Sequence, residues 1–148
     1  MKIRLMVGAE KYAEVARELA ALGVELDDSA ELVLSERGAY PSFIIGRRDG
    51  ELFRLPAAEI SHIESLSHEI TAHTDSGSYR LAETLKRLET LLDPAEFIRV
   101  SNSFIVSAGH IKSIRPAVTM KFVLTMRDGS RVDVTRSYYY IFKDFLGI

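Results

Sequence analysis

Apolar and polar residues follow two different periods along this chain, and the change of period falls near position 40. Lys2 to Val7 alternates as a strand does. Tyr12, Val15, Leu19 and Leu22 then recur at helical spacing and stop at Gly23, a favourable residue just beyond a helix end. Leu32, Val33 and Leu34 predict a short second strand, so residues 1–40 are expected to form a small β-α-β unit. The run from Glu36 to Ser42, with Gly38 and Pro41 inside it, is the expected linker.

From Ser42 onward the pattern becomes short strands divided by tight turns. Phe43-Ile44-Ile45 and Leu52-Phe53-Arg54-Leu55 flank Asp49-Gly50, while Phe122 to Met126 and Arg131 to Thr135 flank Asp128-Gly129. Asp-Gly favours the positive φ that hairpin turns require, so both segments are predicted hairpins. A third is expected between Ile70–His73 and Ser78–Arg80, across Asp75-Ser76-Gly77, with Glu64 to His68 as a loop before it. In the last hairpin Phe122, Leu124 and Met126 share one face, as do Val132 and Val134, which gives each strand a side to bury. Leu81, Leu85, Leu88 and Leu92 fall at i, i+4, i+7 and i+11 and predict a helix ending at Asp93-Pro94. A final short helix is expected to start with Ser137 as N-cap and to turn Tyr138, Ile141, Phe142 and Phe145 inward. The expected architecture is thus mainly β with two short helices over residues 42–148, preceded by the β-α-β unit.

Composition narrows the function classes. A chain of 148 residues with 47% hydrophobic and 27% charged residues has the makeup of an ordinary folded domain with a small appendage. The absence of cysteine excludes disulfide scaffolds, thiolate zinc sites and cysteine nucleophiles together. No uninterrupted apolar run approaches a signal h-region or a membrane span, which points to a cytoplasmic protein. Residues 1–40 are too short for a phosphorylation-receiver domain, and no acidic pair follows the first strand, so no phospho-switch is expected.

Net charge is −2, which by itself argues against a phosphate-rich partner. The distribution alters that inference. Residues 1–96 hold 11 Lys/Arg against 18 Asp/Glu, a balance of −7, and residues 97–148 hold 8 against 3, a balance of +5. A basic contact surface can hide in this way inside a mildly acidic protein.

Catalytic signatures are missing: there is no glycine-rich phosphate loop, no G-x-S-x-G elbow and no H-E-x-x-H. His62, His68 and His73, with Glu64 and Glu69, form the one cluster that suggests a metal, against the plainer reading of surface and turn histidines. No cofactor is expected, and an enzyme is the least favoured class.

The informative stretch runs Phe97-Ile98-Arg99-Val100-Ser101-Asn102-Ser103-Phe104-Ile105-Val106, then Ile111-Lys112-Ser113-Ile114, then the last hairpin, then Val134-Thr135-Arg136-Ser137-Tyr138. Together with the preceding spaced leucines, this ordered series resembles the LytTR family of bacterial DNA-binding domains, over about residues 42–148. The resemblance implies elongated antiparallel β-sheets that present loops to successive major grooves of double-stranded DNA. It further implies direct-repeat sites, a dimer or tandem monomers, and, for some small members, a membrane protein that restrains them. Asn102 corresponds to the polar residue before the serine of the middle motif, Arg136 to the arginine after the last strand, and His68 to a basic position in the first contact loop. The chain departs from many members in carrying serine at 101 in place of histidine and serine at 107 in place of asparagine.

The chemistry of these side chains agrees with the implied roles. Arginine donates two hydrogen bonds to guanine O6 and N7, and asparagine both donates and accepts against adenine. Ser101, Ser103 and Ser137 carry short hydroxyls suited to phosphate oxygens, and Lys112 supplies positional charge. Plainer roles stand beside each: an Asx turn at Asn102, a helix cap at Ser137, a salt bridge from Arg136 to Asp133 or Asp144, and core packing for Tyr138, Tyr139 or Tyr140. The expectation is a stand-alone transcription regulator whose residues 1–40 dimerise or regulate. The rival is a protein-interaction module that has lost DNA binding.

Overall fold

The computed structural model describes residues 1–36 and 40–148. Two compact units separate, Met1–Tyr40 and Pro41–Ile148. Arg37, Gly38 and Ala39, at the centre of the expected linker, lie outside the described residues.

In the first unit, β1 (Lys2–Met6) is followed by α1 (Ala9–Ala21), β2 (Glu25–Leu26) and β3 (Val33–Ser35), and the strands form a parallel sheet in the order β2-β1-β3. Ile3 and Leu5, on alternate positions of β1, are its buried hydrophobic residues. Glu36 ties the start of α1 to the end of the unit, accepting from the Gly8 N–H at 2.6 Å and from Lys11 Nζ at 2.9 Å. Two expectations need correction. The unit is β-α-β-β, because the two-residue β2 is too short to leave a periodic signal, and the second expected strand begins at Val33. The stripe on α1 is also only half covered: Val15 and Leu19 are half-buried, while Tyr12 and Leu22 are exposed.

The second unit runs β4 (Phe43–Arg48), β5 (Glu51–Pro56), β6 (Ile60–Leu66), β7 (Glu69–Thr74), β8 (Gly77–Leu81), α2 (Leu85–Leu91), β9 (Phe97–Arg99), β10 (Phe104–Ser107), β11 (Ile111–Ala117), β12 (Lys121–Met126), β13 (Arg131–Val134) and α3 (Tyr139–Leu146). Seven strands form an antiparallel sheet in the order β5-β4-β8-β7-β6-β10-β9, and β11-β12-β13 form a second antiparallel sheet. The β4–β5 hairpin closes through Asp49 and Gly50 at φ 52° and 78°, as the Asp-Gly pair predicts.

Successive residues of a strand face opposite ways, and here both faces of the large sheet are used. Phe97, Ile105, Ile63, Ala72 and Leu81 join Leu85, Leu88 and Leu92 in one core. Their neighbours Ile98 and Val106 join Val100, Phe122, Leu124, Met126, Val132, Val134 and Phe142 in another. β9 and β10 therefore stand between two cores.

Three helical details differ from the periodic reading. Leu81 ends β8, and α2 begins only after Thr84, whose hydroxyl accepts from the Arg87 N–H at 3.2 Å. Leu81 nonetheless buries in the same core as the helical leucines, which explains its apparent place in their series. Ser137 is not an N-cap. It lies inside a 3-10 turn, Arg136–Tyr138, and α3 starts at Tyr139 without a side-chain cap. That tighter turn rotates the helix face. Ile141 is left 57% exposed, and Tyr139 stacks on Phe122 at 4.8 Å instead.

A candidate nucleic-acid interface at one end of the sheets

Strand register decides which turns share an end of the molecule. β6 pairs with β7 from Ile60↔Thr74 to Leu66↔Glu69, so residues 67–68 close that hairpin. β10 pairs with β6 through Phe104↔Glu64 and with β9 through Ile105↔Arg99, so Ser101-Asn102-Ser103 leaves the sheet at the same end. The Ser65 N–H donates to the Ser103 carbonyl at 2.8 Å and links the two turns directly. Arg136 arrives from the smaller sheet: Thr135 N–H donates to the Val100 carbonyl at 3.0 Å.

His68, Asn102, Ser103, Arg136 and Ser137 are all exposed at this end. The segment from Glu64 to His68, expected as a loop, is the end of β6 followed by a two-residue turn, with Ser67 and His68 at φ 51° and 66°. Ser101 is brought to the same turn but does not present its hydroxyl outward. It is 7% exposed and accepts from the Ser103 N–H at 3.1 Å, so this serine, and not Asn102, shapes the turn. Lys112 is not brought here. It is exposed next to Ile111, which pairs with Met126, whereas the Arg136 end of this sheet is marked by Ala117↔Lys121 and Phe122↔Val134. Lys121 is an exposed cation at that end.

Asn102 is held from two sides. Its Oδ1 accepts from the Tyr138 hydroxyl at 3.3 Å, and its carbonyl accepts from Arg99 Nη2 at 2.9 Å. Arg99 acts toward backbone carbonyls, and in the sequence only its place two residues after Phe97 marks it. Among the described residues, the ion pairs are Lys2–Asp27, Lys11–Glu36, His73–Glu64, Arg80–Glu69 and Arg99–Glu89, and Arg136 is in none. Its guanidinium stands unengaged by Asp133 or Asp144. Tyr138 and Tyr139 pack against the second core, and Tyr140 is 63% exposed.

The histidines divide. His62 and His73 stack at 4.5 Å, His73 Nε2 lies 3.1 Å from Glu64 Oε2, and His73 Nδ1 lies 2.9 Å from the Ser78 hydroxyl. Burial, aided by the neighbouring His73, pushes the His62 pKa down to about 4, so this imidazole is neutral. His68 stands in its turn, and Glu69 pairs with Arg80 at 2.6 Å. Among the described residues no group of three or more His, Asp or Glu is arranged to hold a metal ion. No helix among them is long and apolar enough to cross a membrane.

A family model described as the LytTr DNA-binding domain matches residues 50–147. The chain is 25% identical over 142 residues to the transcriptional regulatory protein LytR of Staphylococcus aureus (strain MW2), covering 95% of this chain and 58% of that protein. It is 31% identical over 138 residues to the sensory transduction protein LytT of Bacillus anthracis, covering 93% and 47% respectively. The chain thus spans about half the length of these relatives. A solved LytTr DNA-binding domain from Bacillus cereus superposes with a TM-score of 0.71 at 29% identity, over 73% of this chain and 99% of that one.

Proposed function

This chain belongs to the LytTr DNA-binding domain family, and from that premise we propose that residues 42–148 read double-stranded DNA as part of a bacterial transcription regulator. The reading surface is the end of the sheets that carries His68, Asn102 and Arg136, each on a turn that enters a major groove. The observation that carries this reading is their joint exposure at one end, with Arg136 free of ion pairs among the described residues. Arg136 is suited to guanine and Asn102 to adenine, each contact contributing roughly 1–3 kcal/mol of discrimination. Ser103, Ser137 and Lys121 serve phosphates, and Ser101 serves the turn. Such a partner places the protein in the cytoplasm. Residues 1–40 supply a contact between two copies on direct repeats, a role drawn from the apolar side chains that α1 and β3 leave exposed. A membrane protein that restrains the regulator is proposed from family resemblance alone.

The test is a gel-shift titration on the DNA upstream of the protein's own gene at two salt concentrations. Affinity is expected to fall with salt, by a slope in log K of roughly 0.9 for each phosphate neutralised. Asn102→Ala and Arg136→Ala should each weaken binding while circular dichroism stays unchanged. No shift at low salt gives the protein-interaction reading instead.

A further inference from the structure

The turn that carries Asn102 is held by an arginine at its base. Arg99, the last residue of β9, folds its guanidinium back over the turn that follows. Nε donates to the Ser101 carbonyl at 3.0 Å and Nη2 to the Asn102 carbonyl at 2.9 Å, while Nη1 reaches Glu89 Oε2 on α2 at 3.0 Å. The Arg99 side chain is only 19% exposed. A guanidinium is planar and carries five N–H groups in a fixed fork, so one edge can take two carbonyls while another takes a carboxylate. An ammonium cannot reproduce that arrangement. A turn whose two successive carbonyls accept from one rigid guanidinium has little freedom to rotate its peptide units, which restrains the direction in which the Asn102 side chain leaves the backbone.

Resting on the reading of Asn102 as a base-contacting residue, we propose that Arg99 is its positioning residue, locked in place by Glu89, and that base selectivity at the Asn102 position is set through this clamp. Arg99 does this through the Ser101 and Asn102 carbonyls, not by meeting DNA. Glu89 places α2 in the chain of control, because a carboxylate that keeps the guanidinium planar to the turn also couples the turn to the helix.

The experiment uses the full chain and selection of bound duplexes from a random DNA pool, with Asn102→Ala and Arg136→Ala run in parallel. Arg99→Lys keeps the positive charge and removes the fork. It is expected to lose preference at the base pairs whose preference Asn102→Ala loses and to keep it at those that Arg136→Ala loses. Affinity for the selected site should drop on the order of tenfold, with the salt slope unchanged. In an Asn102→Ala background, Arg99→Lys should add no further loss. Glu89→Ala, at a side chain 41% exposed, carries the same expectation and serves should Arg99→Lys fail to fold. The inference is overturned by Arg99→Lys or Glu89→Ala variants that keep the Asn102-dependent preference, by an even loss across all base pairs, or by a further loss in the Asn102→Ala background. If Asn102→Ala alone leaves the selected sequence unaltered, the base-contact reading falls and the positioning role with it, a failure read from the Asn102→Ala arm alone and so distinct from that of the Arg99 variants.

Discussion

Ser101 and Asn102 are adjacent and yet divide their work by depth. Ser101 is buried and spends its hydroxyl on the Ser103 N–H, while the Asn102 amide is exposed and touches Tyr138. Removing the buried hydroxyl leaves a backbone donor without its partner, which typically costs about 1 kcal/mol. Ser101→Ala should therefore lower the urea midpoint of unfolding by that order and weaken DNA binding through a loosened turn, whereas Asn102→Ala should alter binding with little change in the midpoint. The candidate reading residues were legible through the family resemblance, in which His68, Asn102 and Arg136 stand at the positions of contact residues. Their supports were not. The Arg99 fork, the Ser101 bond and the Tyr138 hydroxyl depend on tertiary geometry across three segments, and a linear pattern records none of it. Lys112 shows the reverse error: its charge was plain, but only the register of β11 against β12 reveals that it lies toward the other end of that sheet.

At the scale of elements, Asp-Gly and the alternating apolar faces made the β4–β5 and β12–β13 hairpins legible, because turn chemistry and period-two burial are local properties. The turns themselves differ: β4–β5 closes through Asp49 and Gly50 alone, whereas β12–β13 closes through Arg127, Asp128 and Gly129, with the Met126 N–H donating to the Ser130 carbonyl at 2.8 Å. β6 was harder. Its run Ile60-Ser61-His62-Ile63 is buried on both sides, so polar and apolar residues alike lie inside and the alternation disappears. His62 makes this burial measurable. Its pKa is pushed down to about 4 in the folded protein, below the ordinary 6.5. Between those values the unfolded chain takes up a proton that the folded one refuses, so this group's contribution is fully present above pH 6.5, declines as pH falls toward 4 and is constant below that. The loss should reach up to about 3 kcal/mol. Urea unfolding at pH 7.5 and pH 4.5 tests it, and His62→Phe should flatten the difference. A further local constraint sits at Gly46, where an added Cβ would meet Leu55 Cδ1 at 2.6 Å and Tyr79 Cβ at 2.7 Å, which explains glycine in the middle of β4.

For the whole molecule, the proposed contact between copies follows from how little the first unit buries. A sheet of three short strands with two buried hydrophobic residues among the described residues is a small core, and units of about forty residues generally need outside support. Leu22 and Leu32 are 77% and 56% exposed. Replacing both with glutamate should shift the protein toward monomer in sedimentation and reduce occupancy of a two-repeat site, while binding to a single repeat stays as before. Charge belongs to this scale as well: the sum of −2 conceals the basic final third, and the sheets bring part of that third to the end where Arg136 stands. The placement of His68, Asn102 and Arg136 on turns between strands has one more consequence. Turns accept replacement with less disturbance than cores do, and none of these three side chains belongs to either core. On the proposed reading of these turns, sister copies of this scaffold that arise by gene duplication can drift apart in the operators they recognise by changing a few turn tips while keeping the same interiors.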